Sequence, residues 1–243
     1  MNITGVNLTG LNVTDIPPVV TSGLVYYFDL GNTQSYPGSG STIADLSGSG
    51  LGNATITNSP TYTSGYVTTN GSNQYLFTPN MVSKFNSPSN SNYSLECWVN
   101  VPSDNGCIMV EEGSATPDGG WYASAMEIVS GTLYMSHWNG GVLSINAGSF
   151  PRSRWNHCVL TYNGTTARTY LNTTAGATLV TGRQLPWASS YGYYHGIMCG
   201  TGTSMGDGTY LAGSFAQYRL YNRALTADEI LQNYRASSWR YGV

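Results

Sequence analysis

Phe215 to Tyr234 reads FAQYRLYNRALTADEILQNY. Two periods meet in this stretch. Phe215, Gln217, Arg219 and Tyr221 alternate with Ala216, Tyr218 and Leu220, the two-residue repeat of a strand with aromatic enrichment. A helix start follows. Thr226 stands as N-cap and Glu229 three residues later completes a capping box. Leu225 and Ile230 have the spacing of a hydrophobic staple, and Asp228 and Glu229 put negative charge at the positive end of the helix dipole. No other segment carries comparable helix signals. The sequence therefore predicts one short helix, near 226–234, in an otherwise all-β chain.

The strand patterns fit that class. Tyr93 to Val101, YSLECWVNV, sets Leu95, Cys97 and Val99 on one face and Glu96, Trp98 and Asn100 on the other. Trp155 to Tyr162, then Asn163-Gly164, then Thr166 to Asn172, is a hairpin with a strong turn signal. Asn70-Gly71 gives a second tight turn, between strands in Tyr66 to Phe77. Leu24 to Phe28 is a first strand ended by Asp29, and Ile197 to Gly200 a late one.

These motifs carry a family resemblance. Gly213-Ser214-Phe215, the strand ending at Leu225, the Thr226 to Ile230 cap and the closing Asn233-Tyr234 resemble the C-terminal signature of laminin-G-like, concanavalin A-like jelly-roll domains. The Tyr93 strand and the Trp155 hairpin are similar to two further motifs of that family. The resemblance runs from about Gly23 to Ala236 and implies a two-sheet antiparallel jelly-roll sandwich with one C-terminal helix. It implies no single activity, because the fold hosts lectins, adhesion modules, glycoside hydrolases and virion proteins. The run from Leu24 through Asp45-Leu-Ser-Gly48 to Tyr62 resembles the opening of such domains in tailed-phage and other viral structural proteins.

Composition narrows the partners. Charged residues make up 9% of the 243-residue chain, with a single lysine, Lys84, and a net charge of −3. The surface must be Ser, Thr, Asn, Gly and Tyr, and with no basic block nucleic acid is not expected as a partner. No apolar run is long enough to span a membrane. MNITGVNLTG has neither a basic nor an apolar leader region, so no signal peptide is read. Cys97, Cys107, Cys158 and Cys199 are widely spaced without a CxxC pair, which predicts reduced, mostly buried thiols.

Residues 1–16 repeat with period five and place Ile3, Leu8 and Val13 centrally, with Val6, Leu11 and Ile16 closing each unit. Three units cannot bury a face alone. Residues 1–18, ending in Pro17-Pro18, are read as an arm that orders against other virion proteins or another copy of the chain. Residues 19–243 are the jelly-roll domain.

Candidate sites follow from chemistry. Sugar rings stack on rigid aromatic faces while a few polar groups bind their hydroxyls. Asp118, Trp121 and Tyr122 with Trp138 and Asn139, and Tyr191, Tyr193, Tyr194 and His195, supply that mixture. The competing reading is that these aromatics cap the sandwich rim or pack against a subunit. In some relatives acids near the first strand hold a structural calcium. The resemblance leaves this open for Asp29 and Asp45, although Gln217 replaces the acid common in the last strand. No other cofactor is expected. Hydrolases of the clan carry a Glu-x-Asp-x-x-Glu acid set on one strand, whereas Glu96 is followed by Cys97 and Trp98, and paired acids at working spacing are lacking. The chain thus reads as non-enzymatic. The expected function is a structural virion protein — a capsid decoration, fibre or appendage subunit — made in the host cytoplasm and displayed on the virion surface, where it contacts host glycans. It would be extracellular once released. The alternative is a carbohydrate-binding, lectin-like adhesion module.

Overall fold

The computed structural model describes residues 16–84, 92–116, 122–182, 192–200 and 210–243. Ile3, Val6, Leu8, Leu11 and Val13 of the arm lie outside them, and Ile16 is half-buried at their start. The described strands are β1 (Leu24–Asp29), β2 (Thr42–Ile43), β3 (Ala54–Thr57), β4 (Thr61–Thr63), β5 (Tyr66–Asn70), β6 (Tyr75–Phe77), β7 (Tyr93–Asn100) and β8 (Gly106–Glu112). They continue as β9 (Tyr122–Val129), β10 (Thr132–Trp138), β11 (Val142–Ser149), β12 (Asn156–Tyr162), β13 (Thr166–Leu171), β14 (Thr174–Val180), β15 (Tyr194–Ile197) and β16 (Ala212–Tyr221). A helix, α1 (Ala227–Ser237), follows. All pairings are antiparallel.

The strands form two eight-stranded sheets. The first runs β14-β13-β12-β7-β16-β5-β4, with β1 also on β16, and the second runs β11-β10-β9-β8-β15-β6-β3-β2. This is the expected all-β jelly-roll sandwich with one short C-terminal helix. The core lies between the sheets and includes Leu95, Cys97 and Val99 of β7, Leu160 of β12, Met126 of β9 and Met135 of β10. The four cysteines are buried thiols, none of them in a disulfide. Cys97 and Cys158 face each other across β7 and β12, and burial, with Cys158 and Glu96 beside it, pushes the Cys97 thiol well up.

Turn chemistry explains several of the corners. Asn163 Oδ1 accepts from the amides of Thr165 and Thr166, and Gly164 takes a positive φ of 92°, closing the β12–β13 hairpin. Asn172 and Thr173 adopt φ of 49° and 70° in succession, a mirror-image turn that returns the chain as β14. The Asn70-Gly71 turn differs from the hairpin expected there. β5 pairs with β16 and β4 in the first sheet, while β6 pairs with β15 and β3 in the second. Asn70 Oδ1 takes the amides of Ser72 and Asn73, and Gln74 Oε1 takes the Asn70 amide, so the chain bends out of one sheet and into the other.

The opening stretch also holds a surprise. The β16–β7 register shifts between Phe215 and Gln217, so Ala216 is an extra residue. Phe215 therefore joins Tyr218 and Leu220 in the core rather than sharing a face with Gln217, Arg219 and Tyr221.

Helix α1 forms as its sequence dictates. Thr226 Oγ1 accepts the Glu229 amide and Glu229 Oε2 accepts the Thr226 amide, the two halves of the capping box. Leu225 and Ile230 are buried together with Val20, Val159, Tyr170 and Tyr221. Arg223 grips the Glu229 carboxylate with both terminal nitrogens, at 2.8 and 2.6 Å, and this holds the Glu229 carboxyl down at about 2. The helix runs to Ser237, past the expected 234, since neither glycine nor proline stops it. No described helix is long and apolar enough to cross a membrane.

Candidate functional site

Helix α1 and the C-terminal turn lie on the outer face of the first sheet and shut a polar network beneath them. Glu96 on β7 and Arg219 on β16 are register partners and form an ion pair with both side chains about fully buried. His157 Nε2 lies 3.0 Å from Glu96 Oε1, and Asn233 of the helix donates to Oε2 at 2.8 Å. Burial would raise the Glu96 carboxyl, but Arg219, His157 and Asn233 outweigh it and hold it at about 2. Arg219 also donates to Gln217 and Ser237. Glu96 is thus hydrogen-bonded and out of reach of any ligand.

Asp29 and Asp45 are committed in a similar way. Asp29 accepts from Arg240 at 2.6 Å, from Gln217 at 3.1 Å and from the Gly31 amide at 2.8 Å. A methyl group on Gly31 would sit 1.5 Å from the Arg240 guanidinium, so glycine is what lets that side chain through. Asp45 accepts the Tyr27 and Ser47 amides and the Ser47 and Ser49 hydroxyls. These two residues do not fit a calcium site. Arg240 supplies the positive charge at Asp29, and no group of three or more His, Cys, Asp or Glu side chains that could hold a metal occurs among the described residues.

The glycan candidates divide. Asp118, Trp121 and Tyr191 fall outside the described residues, and for Tyr122 only the backbone is described. Tyr193 and His195, read above as candidate sugar contacts, are fully buried between the sheets. Tyr193 Oη donates to Glu111 at 2.7 Å, His195 Nε2 lies 3.0 Å from Tyr193 Oη, and His195 Nδ1 lies 2.6 Å from Tyr218 Oη. The alternation of β15 turns His195 inward and leaves Tyr194 facing out.

Register gathers the remaining candidates. Tyr194 pairs with Glu112, Glu112 pairs with Tyr122, and Met135 pairs with Met126. Trp138, three residues beyond Met135, therefore ends up at the Tyr122 end of β9. Leu133 and Met135 face the core and His137 lies against Tyr162 of the first sheet, so Tyr134, Ser136 and Trp138 point away from the core, where Ser136, Glu112 and Glu127 are nonetheless buried. Trp138 and Tyr194 are both half-buried. Asn139 is fixed beside Trp138 by a hydrogen bond that its Nδ2 donates to Thr181 Oγ1 at 3.0 Å. Tyr194 leads into a row of rings across the outer face: Phe77 at 5.9 Å, Tyr75 at 6.3 Å from Phe77, and Tyr210 at 5.9 Å from Tyr75. The sequence reading missed that row. The alternation in Tyr75-Leu76-Phe77 was its local signal, but only the sheet assignment shows which way it faces.

A β-sandwich with an aromatic outer face at one end of its second sheet is lectin-like in build. The chain belongs to the concanavalin A-like lectin/glucanases superfamily, laminin-G type, whose family model matches residues 70–231. A comparison with curated protein sequences finds no match. Among solved structures, it is similar to Trypanosoma rangeli sialidase in complex with sialic acid, with a TM-score of 0.61 and 18% identity over 92% of this chain and 36% of the sialidase. It is also similar to botulinum neurotoxin type C, in a structure concerned with its interaction with two ganglioside molecules (TM-score 0.59, 14% identity, 95% of this chain and 53% of that one). The binding domain of botulinum neurotoxin DC in complex with SialylT gives a TM-score of 0.57 and 13% identity, over 91% of this chain and 52% of that one. The chain thus spans about a third of the sialidase and about half of the toxin chains. At these identities the likeness is one of fold.

The sialidases overturn the non-enzymatic reading. Their fold matches most of this chain. A missing Glu-x-Asp-x-x-Glu set removes one arrangement of acids, not every route to cleaving a sugar.

Proposed function

We propose that this chain is a glycan-binding, lectin-like module whose contact surface is the outer face of the second sheet at the Trp138–Tyr194 end. The carrying observation is the register that brings Trp138, Asn139 and Tyr194 to one end of that face. Two ring faces fixed to a sheet supply stacking area at low entropic cost, and the Asn139 side chain supplies an amide for hydroxyls. Neighbours of the same fold that act on or bind sialylated glycans support the substrate class. The test is an array of sialylated and neutral glycans, with free sialic acid measured in the same wells. Trp138→Ala is expected to weaken binding about tenfold, which corresponds to about 1.4 kcal/mol. Binding unchanged in Trp138→Ala would remove this face, and release of sialic acid would make the module part of an enzyme.

The same proposal extends to the setting: a surface subunit of a phage-like particle, carried by the 1–18 arm. A polar surface with 9% charged residues, the five-residue repeat and the phage-like opening stretch support it. Immunogold labelling of particles from the source culture is expected to mark their exterior. Label found only on cells or free protein would refute this setting without touching the glycan reading.

A further inference from the structure

A cleft of about 570 Å³, lined by neither Trp138 nor Tyr194, lies between the loop after β1 and the link from β3 to β4. That volume lies in the range of small-ligand sites, about 300–1,000 Å³. Tyr36 and Tyr62 form its aromatic wall, edge to face with centroids 5.3 Å apart. Each ring is pinned by its hydroxyl, Tyr36 to the Gly40 carbonyl at 2.9 Å and Tyr62 to the Leu30 carbonyl at 3.2 Å. Gly38, at a φ of 96°, packs its Cα against the Tyr62 ring, where an added methyl would meet the ring edge at 2.9 Å. The rings are therefore set before any ligand arrives.

The opposite wall is held with equal care. Asn58 and Ser59 take positive φ of 58° and 50° in succession. This left-handed region is uncommon for residues other than glycine. Gln74 Nε2 donates to both of their carbonyls, at 3.0 and 3.2 Å, and Asn58 Nδ2 donates to the Asn73 carbonyl at 2.7 Å. The clamp presents Ser59 at the mouth, where Ser39 and Ser41 are also exposed. Strain kept in place by side-chain clamps is a feature of ligand sites. No charged side chain lines the cleft.

We infer that the cleft between Tyr36 and Tyr62 is a second saccharide site, separate from the Trp138–Tyr194 face, built for an uncharged sugar residue. Tyr62, half-buried and backed by the buried Tyr36, offers the stacking face, and the Ser39, Ser41 and Ser59 hydroxyls both donate to and accept from sugar hydroxyls. A sialic acid carboxylate would find no cation here. Two unlike sites on one module would let a branched glycan be held at both, with the second contact made at high effective concentration.

The test is amide-resolved NMR of the full chain, titrated separately with methyl α-mannoside, methyl β-galactoside, N-acetylglucosamine and N-acetylneuraminic acid. At least one neutral sugar is expected to shift the amides of Gly38, Ser39, Gly40 and Ser59, and N-acetylneuraminic acid to leave them still. Tyr62→Ala is expected to weaken that binding at least tenfold. Because Tyr62→Ala also removes a β4 side chain, the exposed pair Ser39→Ala/Ser41→Ala serves as a second variant, expected to weaken binding severalfold with an unchanged melting temperature. Cleft amides unmoved by all three neutral sugars, or affinity unaltered in both variants, would overturn the inference. If Trp138→Ala abolishes the cleft shifts as well, the sites are not separate and the inference also fails. A silent cleft with glycan binding intact at Trp138 would leave the proposed function standing.

Discussion

Glu96→Ala is expected to cost about 3–5 kcal/mol of stability at neutral pH, the usual result of stripping one partner from a buried ion pair. The loss comes from what is left behind. Arg219 is wholly buried under α1, and without Glu96 the side chains left around it, Gln217, Ser237 and the Tyr27 ring, carry no negative charge. His157 loses its carboxylate neighbour in the same step, and Asn233 keeps only the Tyr221 hydroxyl as acceptor. Glu96→Gln keeps the shape and removes only the charge, so it should recover little. The double variant Glu96→Leu/Arg219→Met should recover most of the loss, because an apolar pair avoids the desolvation of two ions. Urea denaturation of the three variants checks this, and an Ala variant within 1 kcal/mol of the parent would refute it.

The pH dependence has a fixed sign. Glu96 sits at about 2 in the folded chain, below its ordinary 4.5, so its contribution is complete above about pH 4.5 and is lost as pH falls toward 2. The loss is on the order of 3 kcal/mol at about 1.4 kcal/mol per pH unit. The Glu96→Gln variant should lack this part of the acid sensitivity. Between pH 5 and pH 3 its denaturation midpoint should therefore move less than that of the parent protein.

Local chemistry made much of this fold legible. The helix cap depends on Thr226 and Glu229 alone, and the β12–β13 hairpin on Asn163-Gly164, so each could be read within a few residues. Pairings across long separations could not. Asp29 meets Arg240 over 211 residues, and nothing near either residue announces the other. That contact also decides against a calcium at Asp29. Period-two reading failed at Ala216 because a bulge leaves no mark in the composition, and it carried Phe215 to the wrong face. The candidate site divided for a similar reason. Tyr193 and His195 looked like Tyr194 in an aromatic run, yet strand alternation sends His195 into the core. The Tyr36–Tyr62 cleft was invisible because its walls come from two loops that meet only in three dimensions.

The second large effect belongs to Trp98, two residues along β7 from Glu96. Its side chain is fully buried and serves as the plate on which the C-terminal segment rests. His157 stacks on it at 5.0 Å, Tyr241 at 4.6 Å and Tyr234 of α1 at 5.4 Å, and Trp155 continues the stack beyond Tyr241 at 4.6 Å. Trp98→Ala opens a cavity under both the helix and the terminal turn and is expected to cost about 3–5 kcal/mol. For a domain of this size that is a fall of roughly 6–20 °C in melting temperature. Trp98→Phe should cost much less. The indole Nε1 is buried without a hydrogen-bond partner, so phenylalanine gives up area but also removes a donor that costs about 1–3 kcal/mol to bury unpaired. Trp98 shares His157 as a neighbour with Glu96, so the Glu96→Ala/Trp98→Ala double variant should cost less than the two single losses added together. Strict additivity would mean that the ion pair and the aromatic stack hold the helix independently. A Phe variant as damaged as the Ala variant would mean that the indole nitrogen is satisfied in solution.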